Sequence, residues 1–102
     1  MVSREARVHL QIKLAEAFRL SEEALIVIGG SVSIRDPAGG RLEGIVPFTF
    51  KSWGESIQVE VLGVDGDLDV HVKSASRMST TLIDWGKNAD NVKRFGDWLT
   101  KT

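Results

Sequence analysis

Apolar and polar residues alternate in five stretches of the chain, and each stretch predicts a β-strand with one buried face. The apolar members are Val8, Leu10 and Ile12; Val32 and Ile34; Leu42, Val46, Phe48 and Phe50; Ile57, Val59 and Val61; and Leu68, Val70 and Val72. Polar or charged residues fill most of the positions between them. This pattern is typical of a sheet that packs on a core with one face and meets water with the other.

In two other stretches the apolar residues recur with the 3.6-residue period of an amphipathic helix. The first stripe consists of Leu14, Ala17, Phe18, Ala24, Leu25 and Ile28, and the second consists of Val92, Phe95, Trp98 and Leu99. Gly29 and Gly30 are predicted to end the first helix, because glycine adopts the left-handed conformation that follows a helix. Asn88 is a predicted N-cap of the second helix.

Turn residues separate the last four predicted strands. Residues 36–40, Asp-Pro-Ala-Gly-Gly, and residues 65–67, Asp-Gly-Asp, both predict tight hairpin connections. Pro47 lies within the third predicted strand, where it cannot donate a ladder hydrogen bond, so an edge position or a bulge is expected there. Tight turns between successive strands predict an antiparallel meander.

The predicted order is strand, helix, four strands, helix, which indicates a single α+β domain over residues 1–102. Both helices should cover the same face of the antiparallel sheet, giving a two-layer sandwich. The order resembles the helix-grip, or TATA-binding-protein-like, arrangement along the whole chain, and this resemblance implies a topology without a function. A ferredoxin-like split βαβ is the main competitor, but it needs a further helix for which residues 41–74 leave no room.

Composition excludes several classes of function. The 102 residues include no cysteine, so disulfides, thiolate zinc sites and cysteine nucleophiles are excluded. The net charge of -1 provides no long-range attraction to phosphate. The outward strand positions are mixed in charge and contain no aromatic ring, which argues against a nucleic-acid surface; they are His9, Gln11, Glu43, Thr49, Gln58, Glu60, Asp69, His71 and Lys73. No signal peptide or membrane span is recognisable, so we expect a cytoplasmic protein that does not bind membranes.

The most distinctive stretch, residues 74–91, joins the last strand to the last helix. Two interpretations of Arg77 stay open. The guanidinium could pair with Asp84 and fix the connection to the helix, since an unpaired buried charge is costly. Alternatively, Arg77 could receive an anionic group together with the hydroxyls of Ser74 and Ser76 and the helix N-terminus.

These residues also suggest a family. Ser-Ala-Ser-Arg followed by Asp-x-Gly-x-Asn resembles the C-terminal signature of an uncharacterised bacterial family of domains of unknown function. The matching residues are Ser74, Ser76, Arg77, Asp84, Gly86 and Asn88. The resemblance covers about 25 residues of the chain, from residue 74 into the last predicted helix. It implies no activity.

Two tryptophan-glycine pairs, at Trp53 and Trp85, fall at predicted chain reversals. Their rings would cap the ends of the core, or form an apolar rim for a ligand or partner if both lie at one end of the sheet. The predicted contact region is therefore one end of the sheet, and it comprises Trp53, Ser74, Ser76, Arg77, Asp84, Trp85 and Asn88.

No metal, cofactor or catalytic motif is recognisable. His9 and His71 lie on outward strand positions, where solvated side chains are more common than metal ligands. Residues 65–69, Asp-Gly-Asp-Leu-Asp, imitate the start of a calcium loop, but Ser76 occupies the position of the final glutamate, so a turn is predicted. No nucleophile elbow or phosphate loop is present.

We therefore predict a binding or interaction module without catalytic activity, whose partner is an unknown protein or small ligand. One alternative is a small-molecule carrier with a cleft between the helices and the sheet, near Phe18, Phe48 and Phe95. A hydrolase that uses His9 or His71 is the weakest alternative. A monomer is favoured over a homodimer, because Pro47 in an edge strand would discourage pairing between sheets.

Overall fold

The computed structural model describes residues 2–47, 54–78 and 86–101. The elements in chain order are β1 (Ser3–Leu10), α1 (Leu14–Val27), β2 (Ser31–Asp36), β3 (Arg41–Val46), β4 (Glu55–Val64), β5 (Asp67–Ser76) and α2 (Lys87–Lys101). The strands form one sheet in the order β1-β5-β4-β3-β2, and all neighbours are antiparallel. The predicted order of elements and the α+β class are confirmed.

Both helices lie on the same face of the sheet, as predicted. α1 contacts β2, β3, β4 and β5, whereas α2 contacts β1, β5 and α1. The core between the layers is apolar and consists of Ala17, Phe18, Leu20, Ala24, Leu25, Ile28, Leu42, Val46, Ile57, Val59, Val61, Leu68, Val70, Val72, Val92, Phe95 and Leu99. The alternating strand positions therefore supply one layer and the two helical stripes supply the other.

Helix α1 ends as the sequence predicts. Gly29 has φ 93°, a left-handed conformation that suits glycine. Its N–H donates to the Ile26 carbonyl at 2.9 Å, and the Gly30 N–H donates to the Leu25 carbonyl at 2.9 Å. These bonds satisfy two carbonyls of the last turn and direct the chain into β2.

The β2–β3 turn is fixed by Asp36 and by a close backbone approach at Gly40. The Asp36 carboxylate accepts the Gly39 N–H at 3.1 Å. Gly40 has φ 67°, and a Cβ there would lie 2.5 Å from the Val61 carbonyl oxygen. The predicted hairpin at residues 36–40 is confirmed, and this position requires glycine.

The edge strand β2 contains a β-bulge. Val32 pairs with Gly44, but Ile34 pairs with Glu43, so the register shifts between them. Ile34 is 48% exposed as a result. The prediction that Val32 and Ile34 share a buried face is wrong for Ile34, because the extra residue of a bulge reverses the alternation.

The predicted edge position of Pro47 is also wrong. β3 lies between β2 and β4, and the edges of the sheet are β1 and β2. β3 ends at Val46, so Pro47 follows the strand and interrupts no ladder hydrogen bond. The other residues predicted for this strand beyond Pro47, Phe48 and Phe50, lie outside the described residues.

The β4–β5 hairpin turns at Asp65 and Gly66, which confirms the predicted connection. Gly66 has φ 86°, and its N–H donates to the Ile12 carbonyl at 2.8 Å. The hairpin tip is thereby attached to the segment that joins β1 to α1. None of the helices in the described parts of the chain is long and apolar enough to cross a membrane.

Candidate functional site

A cluster of polar side chains is buried where the ends of β4 and β5 meet the first turns of α2. We call it the buried polar cluster; its members are Glu55, Ser74, Ser76, Asn88 and Asn91, and none is more than 6% exposed. Strand alternation explains the inward side chains. Ser74 and Ser76 continue the core-facing row of β5, as predicted, and Glu55 continues that of β4.

Asn88 is the centre of this cluster. Its Oδ1 accepts a hydrogen bond from Ser74 Oγ at 2.7 Å. Its Nδ2 donates to Ser76 Oγ at 3.0 Å and to the Val2 carbonyl at 3.1 Å. The predicted N-cap role of Asn88 is wrong, because α2 begins at Lys87 and the amide points into the core. One side chain thus connects α2 to β5 and to the segment before β1.

Asn91 connects the same helix to β4. Its Nδ2 donates to Glu55 Oε1 at 3.0 Å and to Ser74 Oγ at 3.2 Å. Glu55 Oε2 and Asn91 Oδ1 are buried without a hydrogen-bond partner among the described residues. Sequence reasoning missed both residues, although each carried a signal. Glu55 has the parity of Ile57 on β4, and Asn91 lies three residues after Asn88 on α2.

Arg77 is not part of this cluster. Its side chain is exposed, and its backbone N–H extends the β5 ladder by donating to the Gly54 carbonyl at 3.0 Å. Arg77 forms no ion pair within the described residues. Of the predicted site, the structure brings Ser74, Ser76 and Asn88 together. The predicted partner Asp84, like Trp53 and Trp85, lies outside the described residues.

Arg77 borders a depression on the opposite, solvent-facing side of the sheet, which we call the Lys73–Arg77 depression. Its volume is about 310 Å³, and it is lined by Ser56, Gln58, Lys73, Ala75, Ser76 and Arg77. Its described lining presents the Lys73 amine, the Arg77 guanidinium, the Ser56 hydroxyl and the Gln58 amide, and it includes no carboxylate among the described residues. Glu5 on β1 lies opposite Lys73 at the border of this surface, whereas Arg77 forms no ion pair within the described residues, so the attraction for anions is centred on Arg77.

The neighbouring depressions on the same open face are different in charge. One is lined by Arg41, Glu43, Gln58, Val59 and Glu60. Another is lined by Glu5, Gln58, Glu60, His71, Val72 and Lys73. Both combine carboxylates with cations, so the Lys73–Arg77 depression is the most cationic of the three.

The two histidines lie on this face, as predicted, but in different surroundings. β1 pairs with β5, which sets His9 opposite Asp69 and Arg7 opposite His71. His9 Nδ1 is 3.1 Å from Asp69 Oδ1. His9 Nε2 is 3.3 Å from Asp67 Oδ1. His71 Nε2 is buried and has no hydrogen-bond partner in the described chain.

These contacts define what the histidines can do chemically. Within the described ranges, no group of three or more His, Asp or Glu side chains is arranged to hold a metal ion. His9 meets its two aspartates through opposite ring nitrogens, so both nitrogens are already engaged. A hydrolase with a serine nucleophile would need an imidazole between an acid and that serine. Across the described residues, neither histidine hydrogen-bonds to a serine.

The aromatic residues proposed to line a carrier cleft are packed into the core. Phe18 is 3% exposed and Phe95 is fully buried. Arg35 lies over the Phe18 ring, with its guanidinium carbon 5.4 Å from the ring centroid. Phe48 lies outside the described residues.

The order of the elements and the pairing of the strands make this fold an α+β sandwich of helix-grip topology. The crystal structure of Ara h 8.0201 is similar to it with a TM-score of 0.56 and 13% sequence identity, over 99% of this chain and 99% of that one. The solution structure of the Aha1 dimer from Colwellia psychrerythraea gives a TM-score of 0.48 and 15% identity, over 97% of this chain and 96% of that one. No family model and no curated protein matches the chain.

Proposed function

We propose that the chain is a binding module without catalytic activity, and that the Lys73–Arg77 depression binds an acidic segment of a partner protein. The observation that carries the proposal is the composition of this surface, which presents an amine and a guanidinium and includes no carboxylate among its described lining residues. Carboxylates of a partner would supply the missing charge.

Arg77 differs from three other arginines within the described residues, and this difference supports the proposal. Arg19, Arg35 and Arg41 each form an ion pair with a glutamate. Arg77 has no such partner among the described residues, and a guanidinium is suited to a bidentate contact with a carboxylate. Lys73 adds a second cation to this surface. It lies on the same face of β5 as Ala75 and Arg77, because side chains two positions apart in a strand point to the same side.

The buried polar cluster has a supporting role in this proposal. Ser74 and Ser76 alternate with the outward residues of β5, and their bonds to Asn88 hold the end of this strand against α2. A rigid strand end keeps the two cations at a fixed separation, which lowers the entropic cost of binding. Trp53, Asp84 and Trp85 stay predicted members of the contact region.

The experiment is a titration of ¹⁵N-labelled protein with a hexaglutamate peptide, with hexalysine as the control peptide. We expect hexaglutamate to shift the amide signals of Ser56, Lys73, Ala75 and Arg77, and added salt to weaken the effect. Arg77→Ala and Lys73→Ala should each reduce the shifts, whereas Lys13→Ala, which removes an exposed cation elsewhere, should not. Equal shifts with both peptides, or no change in Arg77→Ala, would contradict the proposal.

Small anions distinguish a protein segment from a small anionic ligand as the occupant of this depression. If acetate or phosphate reproduces the hexaglutamate shifts at similar concentration, the depression binds an isolated anionic ligand and a protein segment is not required. Membership of the uncharacterised bacterial family and a cytoplasmic location stay predictions, and neither is needed for the proposal.

A further inference from the structure

The two edges of the sheet differ in how they are protected against pairing with another strand. β2 contains the bulge between Val32 and Ile34, and bulges are one of the devices that prevent pairing between sheet edges. β1 pairs with β5 in an unbroken register from Ser3–Ala75 to Leu10–Leu68. It contains neither a bulge nor a proline. Pro47, which the sequence suggested as an edge guard, lies next to an interior strand.

The hydrogen-bond pattern of β1 identifies the backbone groups that face outward. The Ser76 N–H donates to the Val2 carbonyl, so Val2 and Ser76 form a hydrogen-bonded pair. Because such pairs alternate along an antiparallel ladder, the even residues of β1 direct their N–H and C=O toward β5. Those of Ser3, Glu5, Arg7 and His9 point away from the sheet.

We propose that two copies of this chain pair through β1, antiparallel about a two-fold axis at Ala6, to form one continuous sheet. In this register Glu5 lies opposite Arg7 of the second copy, and Arg7 lies opposite Glu5 of the second copy. Each of these pairs can exchange both backbone hydrogen bonds, since their groups face outward. The inference does not rest on the proposed function, although Lys73 belongs to both surfaces.

Charge selects this register among the neighbouring ones. Moving the axis by one residue to Glu5 would place two glutamates opposite each other, and moving it to Arg7 would place two arginines opposite each other. With the axis at Ala6, three side chains follow one another across the solvent-facing side of the joined sheet. They are Lys73 and Glu5 of one copy and Arg7 of the other. The signs alternate along that row, because Lys73 is the cross-strand neighbour of Glu5 within each copy.

The core-facing row of β1 is also incompletely covered. Leu68 and Val70 on β5 are fully buried, whereas their partners on β1, Leu10 and Val8, are only half-buried. A second copy beside β1 would cover this row. One backbone group at this edge already has a side-chain partner, because Arg4 Nη1 donates to the Ser3 carbonyl. The outward N–H and C=O groups of Glu5 and Arg7 are the ones that pair with the second copy.

A single cysteine tests the register directly, because the chain contains none of its own. The Ala6 pair on the axis would be a non-hydrogen-bonded pair, with Cα atoms about 4.5 Å apart, which is close enough for a disulfide. We expect Ala6→Cys to give a disulfide-linked dimer under mild oxidation. Val8→Cys, which lies off the axis on the same face, should stay a monomer on denaturing gels. Equal crosslinking of both variants would overturn the register.

Charge reversal provides a second test that needs no crosslink. Sedimentation equilibrium of the unmodified chain should detect the dimer. Glu5→Arg and Arg7→Glu should each raise the dimer dissociation constant by about tenfold or more, because two cross-strand pairs become repulsive. The double variant restores opposite charges at both positions and should recover the dimer. A chain that sediments as a monomer at its highest soluble concentration, with no crosslink in Ala6→Cys, would overturn the proposal.

Discussion

Asp65, in the β4–β5 turn, caps helix α1. Its Oδ1 accepts the backbone N–H of Leu14, the first residue of the helix, at 2.7 Å, across 51 sequence positions. The residue at the N-cap itself, Lys13, makes no side-chain cap hydrogen bond. The carboxylate therefore satisfies a free helix N–H and places a negative charge at the positive end of the helix dipole.

Removal of this cap should destabilise the protein. We expect Asp65→Ala to lower the free energy of unfolding by about 1 kcal/mol, and Asp65→Asn to lower it by less, because asparagine keeps an acceptor oxygen. Chemical denaturation followed by circular dichroism measures both. Asp67→Ala, on the same hairpin, removes only exposed contacts and serves as the control. An equal loss in this control would assign the effect to hairpin charge instead of the cap.

The buried polar cluster should be sensitive to Asn88. Asn88→Ala removes the partner of Ser74, Ser76 and the Val2 carbonyl together, so we expect a loss of roughly 3 kcal/mol from unsatisfied buried groups. Asn88→Asp keeps an acceptor for Ser74 and loses the amide donor. Lys93→Ala on the exposed side of α2 should change stability by less than about 0.5 kcal/mol. A small effect in Asn88→Ala would mean that water replaces the amide.

Two glycines should respond to alanine in opposite directions. A Cβ on Gly44 would lie 2.5 Å from Leu25 Cδ2 and from the Ser31 carbonyl oxygen, so Gly44→Ala should destabilise the contact between β3 and α1. A Cβ on Gly96, within α2, would meet only Val8 Cγ2 at 3.6 Å, an ordinary contact. Gly96→Ala should stabilise the protein by about 0.5–1 kcal/mol through helix propensity. Thermal melting of both variants checks the two signs.

The Glu16–Arg19 pair predicts a pH dependence in α1. The hydrogen bond from Arg19 lowers the pKa of the Glu16 carboxyl below its ordinary value. The contribution of the pair is present above the unfolded pKa and is lost as the pH falls through the lower, folded pKa. We expect Arg19→Ala to raise the pKa of Glu16 in an NMR titration, with little change in stability, because both side chains are exposed. An unchanged pKa would show that water screens the pair completely.

Sequence reasoning succeeded where one period dominates a segment. Val70 and Val72 on β5, and Phe18 and Leu25 on α1, occupy the predicted core because alternation and helical spacing leave one consistent assignment for each. It failed at Ile34, because a bulge changes parity through a local backbone conformation that the apolar pattern does not record. The apolar pattern also does not record the order of the strands in the sheet. Pro47 was therefore assigned to the wrong kind of strand.

The candidate site was predictable only in part. Ser74 and Ser76 follow from the parity of β5, but their partner Asn88 was interpreted as a cap, since asparagine near a helix start has both uses. Glu55 and Asn91 were missed because polar residues at core positions contradict the rule that assigns apolar ones there. The outward direction of Arg77 could be inferred from parity. Which described residues line the depression beside Arg77 depends on the register of β4 and β5, which the apolar pattern does not record.

The position of β1 in the sheet has a consequence for folding. β5 joins β4 through a two-residue turn, whereas β1 meets β5 only after the chain has closed a loop from Leu10 to Leu68. Loop closure of this length is entropically costly, so the β4–β5 hairpin should form early and β1 should dock late. In native-state hydrogen exchange the amides of β1 should accordingly open at lower free energy than those of β4, and the sheet would lose its first strand before its middle ones.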